Sequence, residues 1–199
     1  MEARAATQIT SRDNPRSTYF WMLAITCAIL LTLPFVTTYD DFLTRAAINL
    51  GLDRPLQWVV PAEARIVVFL LGLLGVSAAS HGSEIVLHTA TYSQPLYISW
   101  NCIGWQSATL FGLSLVTGLG GSHPLAGRLQ VIVIGLGGTV LVNLFRVAAV
   151  CLVAATAGYV PAVIFHDYAG TLMVVVWLFA FWWLAYRWIL GDGRETMPA

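Results

Sequence analysis

The chain has 199 residues, 58% of them hydrophobic and only 10% charged, with a formal net charge of zero and a mean hydropathy of +0.75. Globular domains run nearer a quarter charged, so this composition excludes an ordinary soluble domain and predicts an all-α polytopic membrane protein. There is no lysine, and the ten arginines are spread along the chain, which leaves no clustered basic face for nucleic acid.

The predicted organisation is a polar tail over 1–18, a single integral membrane domain over 19–190 and a second polar tail over 191–199. The first apolar run, Tyr19–Val36, is just long enough to cross a hydrocarbon core of about 30 Å. Pro34 favours a kink or stop near its end. No small-x-small cleavage site follows, so the run reads as a span rather than a removable signal peptide. Thr37–Glu63 interleaves Phe42, Ala46, Ile48, Leu50 and Leu52 with Asp40, Asp41, Arg45, Asp53 and Arg54. That pattern predicts an amphipathic helix at the interface, with Trp58 at headgroup depth; an ordinary connecting helix fits it equally well.

Arg65–Ser80 is the second predicted span, with Gly72, Gly75, Ala78 and Ala79 suited to close packing. Ile85–Thr89 and Leu96–Trp100 are β-prone runs around a turn-like Tyr92-Ser93-Gln94-Pro95, predicting a short extracytoplasmic β-hairpin. The third predicted helix runs from about Cys102 to Val116, and a glycine-rich connection, Gly118–Gly127, leads to a fourth over Leu129–Ala155. After a loop at Gly158–Pro161, the fifth covers about Tyr168–Leu190 and ends in an aromatic belt of Trp182, Trp183, Tyr186 and Trp188. The expectation is therefore about five transmembrane helices, with no internal repeat.

Arginine placement predicts the orientation. The hairpin before Cys102 and the loop before His166 contain none. With five spans they share a side with the N-terminal tail and its Arg4, Arg12 and Arg16, while Arg45, Arg54, Arg65, Arg128, Arg187 and Arg194 lie opposite. The positive-inside rule then puts Cys102 and His166 outside the cytoplasm of a plasma or inner membrane. A re-entrant Thr37–Glu63 would move the tail to the cytoplasm without moving the rest.

Three polar positions carry the chemistry. Arg146 lies inside the run Leu-Val-Asn-Leu-Phe-Arg-Val, and an arginine near mid-membrane costs roughly 2.5–3.5 kcal/mol on insertion scales, which marks it as a functional candidate. Its plainer role would be to tie helices together through backbone carbonyls. Asn143, three residues earlier, shares its helix face and can orient the guanidinium. His166 opens the last helix beside Asp167, and an imidazole with an ordinary pKa of about 6.5 can move a proton near neutrality. A histidine at that boundary is more often simply interfacial; His81, His88 and His123 lack a matched partner. A free cysteine is commonly a small buried hydrophobe, but Cys102 sits at a helix start, where the N-terminal partial charge favours a thiolate. Cys27 and Cys151 lie deep in apolar runs and read as packing residues. The three cysteines show neither metal-type spacing nor a disulfide framework, and no cofactor or metal is expected.

A thiol, an imidazole and a guanidinium form a coherent set for acyl transfer. Cys102 would attack a carbonyl, His166 would move the proton, and Arg146 would stabilise the oxyanion or position the substrate carbonyl. Asp167 could orient the imidazole, although an adjacent helical residue usually points elsewhere.

Cys-x-Gly-x-x-Ser at Cys102, Gly104 and Ser107, Asn-x-x-Arg at Asn143 and Arg146, and His-x-x-x-Gly at His166 and Gly170 together resemble the exosortase/archaeosortase family, over about Gly82–Leu190. The resemblance implies a multi-spanning cysteine protease-transpeptidase with Cys102, Arg146 and His166 as its active-site residues. Its substrates would be exported proteins bearing a C-terminal motif, apolar span and basic tail, met among membrane lipids. The acyl group would pass to water, an amine or a lipid. Ile103 stands where many members carry serine, which leaves the recognised motif open, and longer members have about eight spans. From other classes, a non-catalytic membrane scaffold or a small-molecule transporter using Arg146 for an anion are the competing readings. Transporters more often show repeat symmetry and broken helices.

Overall fold

The computed structural model describes residues 38–88, 93–121 and 123–190. The predicted span Tyr19–Val36, Cys27 and both polar tails lie outside them. Three helical pieces replace the single predicted amphipathic helix. The first, α1, is described over 38–49 and stops at Gly51, whose φ of 67° lets Leu52 N–H bond back to Ala47 O at 2.9 Å. Then come α2 (Asp53–Gln57) and α3 (Val60–Leu73), each with a proline in its first turn, where the missing N–H is harmless.

The second predicted helix, Arg65–Ser80, is misplaced at both ends. Helix α3 begins at Val60 and terminates where Gly75 takes φ 78° and Val76 N–H returns to Leu71 O at 3.0 Å. This left-handed glycine cap turns the chain into a strand. Strands β1 (Ala78–His81), β2 (Glu84–His88) and β3 (Ser93–Tyr97) form an antiparallel sheet in the order β1-β2-β3, where the sequence predicts only a two-stranded hairpin. The tight turn is Gly82-Ser83, joining His81 to its partner Glu84. Its first central residue, Gly82, has φ 65°, as two-residue hairpin loops require. Ser93, Gln94 and Pro95, predicted in a turn, are strand residues. Pro95 pairs with Val86 on the edge strand, where proline is tolerated.

Helices α4 (Trp105–Gly118), α5 (Leu125–Ala157), α6 (Tyr159–Ile164) and α7 (Gly170–Leu184) complete the described chain. A π-helical turn, Phe165–Ala169, joins α6 to α7, and a second follows at Ala185–Ile189. The predicted loop at Gly158–Pro161 shrinks to Gly158 alone. Three helical segments among the described residues are long and apolar enough to cross a membrane: Asp53–Leu73, Leu125–Ala157 and Tyr159–Ile189. The predicted third span does not qualify, because α4 has 14 residues and a crossing needs about 20.

Two hydrophobic cores lie along α5. Its first half, with α4 and α7, builds one from Phe111, Val131, Phe181, Ala185 and Leu190. Gly135 admits the rings of Phe111 and Phe181, and Gly138 admits Trp177. Trp182, predicted in an interfacial belt, instead turns inward and donates to Ser114 Oγ at 3.0 Å. The second half, with α3, α6 and the sheet, builds the other. Val60, Ala64, Val67 and Leu71 lie on one α3 face and meet Ile85 and Leu87 of β2 and Ala148, Cys151 and Ala154 of α5. A sheet with open edges is not tolerated in hydrocarbon, so the sheet that follows the end of α3 belongs outside it. The large exposed apolar residues of α5 run from Leu125 to Phe145 and stop there, close to where the first core gives way to the second.

Candidate active site

Cys102 sits in a 3₁₀ turn, Trp100–Ile103, between the sheet and α4. Its N–H bonds to Ser99 O at 2.9 Å, and Ser99 Oγ lies 3.7 Å from its Sγ. The turn ends on Gly104, whose φ is 79°. A Cβ there would come within 2.6 Å of Asn143 Cγ. The motif glycine therefore supplies both a left-handed conformation and the space for Asn143.

Neighbouring elements pin the same turn. Trp100 N–H donates to Gln57 Oε1 at 3.1 Å, and Gln57 Nε2 donates to Ser83 Oγ at 2.8 Å. Asn101 Nδ2 donates to Thr44 Oγ1 of α1 at 3.1 Å, and Gln106 Nε2 donates to Asn101 Oδ1 at 3.1 Å. Trp100 and Trp105 stack with centroids 5.8 Å apart.

On α5, Asn143 uses both amide hydrogens. Nδ2 donates to Cys102 O at 2.8 Å and to Glu63 Oε1 of α3 at 2.8 Å. One turn on, Arg146 Nη2 lies 3.4 Å from His166 Nε2. Gly170 abuts the guanidinium so closely that a Cβ would overlap Arg146 Nε. The second motif glycine, like the first, makes way for a polar side chain.

His166 stands on the π-helical turn, with Nδ1 3.0 Å from Asp167 Oδ1. A carboxylate only accepts, so Nδ1 carries the hydrogen and Nε2 of the neutral ring presents its lone pair to Arg146. Adjacent side chains diverge by about 100° in an α-helix; here the residue expected to point elsewhere reaches its neighbour on a wider turn. Cys102 and His166 lie near enough for each to influence the other's ionisation. Burial alone would raise the Cys102 thiol, but the nearby His166 imidazole, which favours the thiolate most when protonated, and Ser99 outweigh it and hold its pKa below the ordinary range. Asp40 of α1 is close enough to feel both Arg146 and His166. Burial pushes its carboxyl upward against the pull of that guanidinium.

Of the predicted site residues, Cys102, Asn143, Arg146, His166 and Asp167 come together. Ser107 does not: its hydroxyl makes no hydrogen bond among the described residues. Arg146, expected near mid-membrane, lies where the two cores meet. Sequence reasoning missed Glu63 and Asp40. The only signal for Glu63 was a carboxylate set in the apolar stretch Val59–Leu74, where it reads as a segment boundary.

A family model, the transmembrane exosortases, matches residues 16–183. The chain belongs to that family. Neither a curated protein nor a solved structure matches it. The exosortase match spans every residue of the cluster, from Asp40 to Gly170, and it indicates cysteine transpeptidase or protease chemistry in general terms.

Proposed function

We propose that this exosortase is a membrane cysteine protease or transpeptidase that cleaves exported proteins within a C-terminal signal of motif, apolar span and basic tail. The observation that carries the reading is the meeting of the Cys102 thiol, the His166 imidazole and the Arg146 guanidinium from three separate segments. Nε2 of His166 takes the thiol proton as Cys102 Sγ attacks the scissile carbonyl carbon. Arg146, already at hydrogen-bond distance from Nε2, turns its N–H groups to the oxyanion that forms. Collapse breaks the C–N bond, the imidazolium gives its proton to the departing amine, and a thioester remains on Cys102. Water, an amine or a lipid hydroxyl then attacks that thioester with His166 as base, regenerating the thiol. Asp167 holds the imidazole in the required tautomer.

The site faces the extracytoplasmic side. Thr44 and Gln57 contact the turn of Cys102, so Arg45 and Arg54 belong to the site's end of the protein, not to the opposite end where the five-span count puts them. The segment before Cys102 and the loop before His166 contain no arginine, which supports this orientation by the positive-inside rule.

The test is processing of an exported protein bearing such a signal, in cells producing Cys102→Ala or Arg146→Lys. Cys102→Ala is expected to abolish cleavage. Arg146→Lys is expected to reduce it on the order of a hundredfold, because an ammonium cannot reproduce the planar fork. Undiminished cleavage by Cys102→Ala would discard the thiol mechanism and favour the scaffold reading.

A further inference from the structure

Glu63 is a carboxylate buried to 6% exposure and held by Asn143, which is itself 2% exposed. One of its oxygens, Oε2, is buried without a hydrogen-bond partner among the described residues, as is Asn143 Oδ1. Burying a carboxylate with an unpaired oxygen is unfavourable, and an apolar residue would fill the same space at lower cost. Packing alone therefore does not account for the residue.

We propose that Glu63 is a positioning residue for the Cys102 thiol, acting through Asn143; this rests on reading Cys102 as the nucleophile. The amide of Asn143 offers two hydrogens, one to Glu63 Oε1 and one to the Cys102 carbonyl, each at 2.8 Å. Turned over, it would set Oδ1 against two acceptors at once. Glu63 thereby fixes which way the amide faces, and the amide fixes the carbonyl of the residue that bears the thiol. That carbonyl belongs to a turn whose other end is held by Ser99 O on the Cys102 N–H. Gly104, with no side chain to interpose, lets Asn143 approach this turn. With the amide released, the carbonyl loses its anchor and Sγ no longer keeps a fixed approach to His166. Among the described residues Glu63 has no hydrogen bond to the thiol or the imidazole; its hydrogen bond goes to Asn143, which links it to the turn of Cys102.

The experiment reads the thiol itself, in the full-length protein in detergent, with Cys27 and Cys151 replaced by serine and alanine so that iodoacetamide reports Cys102. The rate of alkylation is followed against pH. Glu63→Met removes the acceptor and is expected to slow alkylation at neutral pH about tenfold. Glu63→Gln keeps an accepting oxygen at the same reach and should stay within about threefold of the parent. Glu63→Asp, a conservative change that withdraws the carboxylate by one methylene, should behave like the methionine variant and replaces it if that variant does not fold. In an Asn143→Ala background, Glu63→Met should add nothing. Parent-like alkylation by both Glu63→Met and Glu63→Asp, or effects of Glu63→Met and Asn143→Ala that multiply, would overturn the proposal. A parent protein whose Cys102 titrates as an ordinary thiol would instead overturn the reading of Cys102 as an activated nucleophile.

Discussion

Gly170 has only a hydrogen where any other residue would displace the Arg146 guanidinium. Gly170→Ala is therefore expected to lower processing on the order of a hundredfold, the scale of losing an oxyanion donor, through kcat rather than KM. An alanine variant of parental activity would show that Arg146 has another position available. The thiol gives a second prediction. A depressed pKa keeps Cys102 ionised as pH falls below the ordinary thiol value of about 8.5, so its alkylation should persist into more acidic solution than that of a free cysteine. His166→Ala removes the leading contribution that lowers the pKa and leaves burial, which raises it; the profile should then move to higher pH. An unmoved profile would deny the imidazole that role. These residues were legible because their types are conspicuous in an apolar chain: a thiol at the head of a hydrophobic run, an arginine inside another, glycines at fixed offsets; the helix itself begins only at Trp105, with Cys102 in the 3₁₀ turn before it. Glu63 and Asp40 were not, because their roles come from contacts with residues far away in sequence, and a lone carboxylate in a helix has no pattern announcing its partner.

At the level of elements, the segments whose identity depends on one residue's backbone were the hardest to place. Gly75 at φ 78° and Gly82 at φ 65° decide where α3 ends and how β1 folds onto β2, yet in the sequence Gly75 reads as a small packing residue in a longer helix. The dipeptide Gly82-Ser83 is a hairpin signal that a reading centred on Tyr92–Pro95 passes over. The long apolar helices were legible from composition alone. The join between helix and sheet, however, depends on Gln57, which links Trp100 to Ser83. Gln57→Leu leaves the Trp100 N–H without its acceptor and is expected to destabilise the fold by about 1–3 kcal/mol, read as a lower melting temperature in detergent. A melting temperature equal to the parent's would mean the turn is held by Asn101 and its partners alone.

For the whole molecule, the division of α5 between two cores separates a layer that suits lipid from one that carries a sheet. Impermeant maleimide applied to intact cells tests this arrangement in a Cys102→Ala background. A cysteine replacing His88, at the exposed end of β2, should label from outside. One replacing Arg128 should label only after the membrane is permeabilised. Labelling of both from one side would refute the two-layer arrangement.

At 1.5 Å per residue, about 27 Å of helix separates Arg128 from Arg146, and about 32 Å separates His166 from Arg187. The reactive centre thus stands about one hydrocarbon-core thickness from Arg128 and Arg187, on two helices that cannot shorten. An apolar stretch of roughly 18–21 residues on a substrate, with its own basic tail level with Arg128 and Arg187, would bring the bond that precedes the stretch up to the sulfur. Cut short by a turn, the stretch would hold that bond about 5 Å too deep. Under the proposed function the two helices would act as a yardstick, passing substrates by length before any side chain of the motif is read.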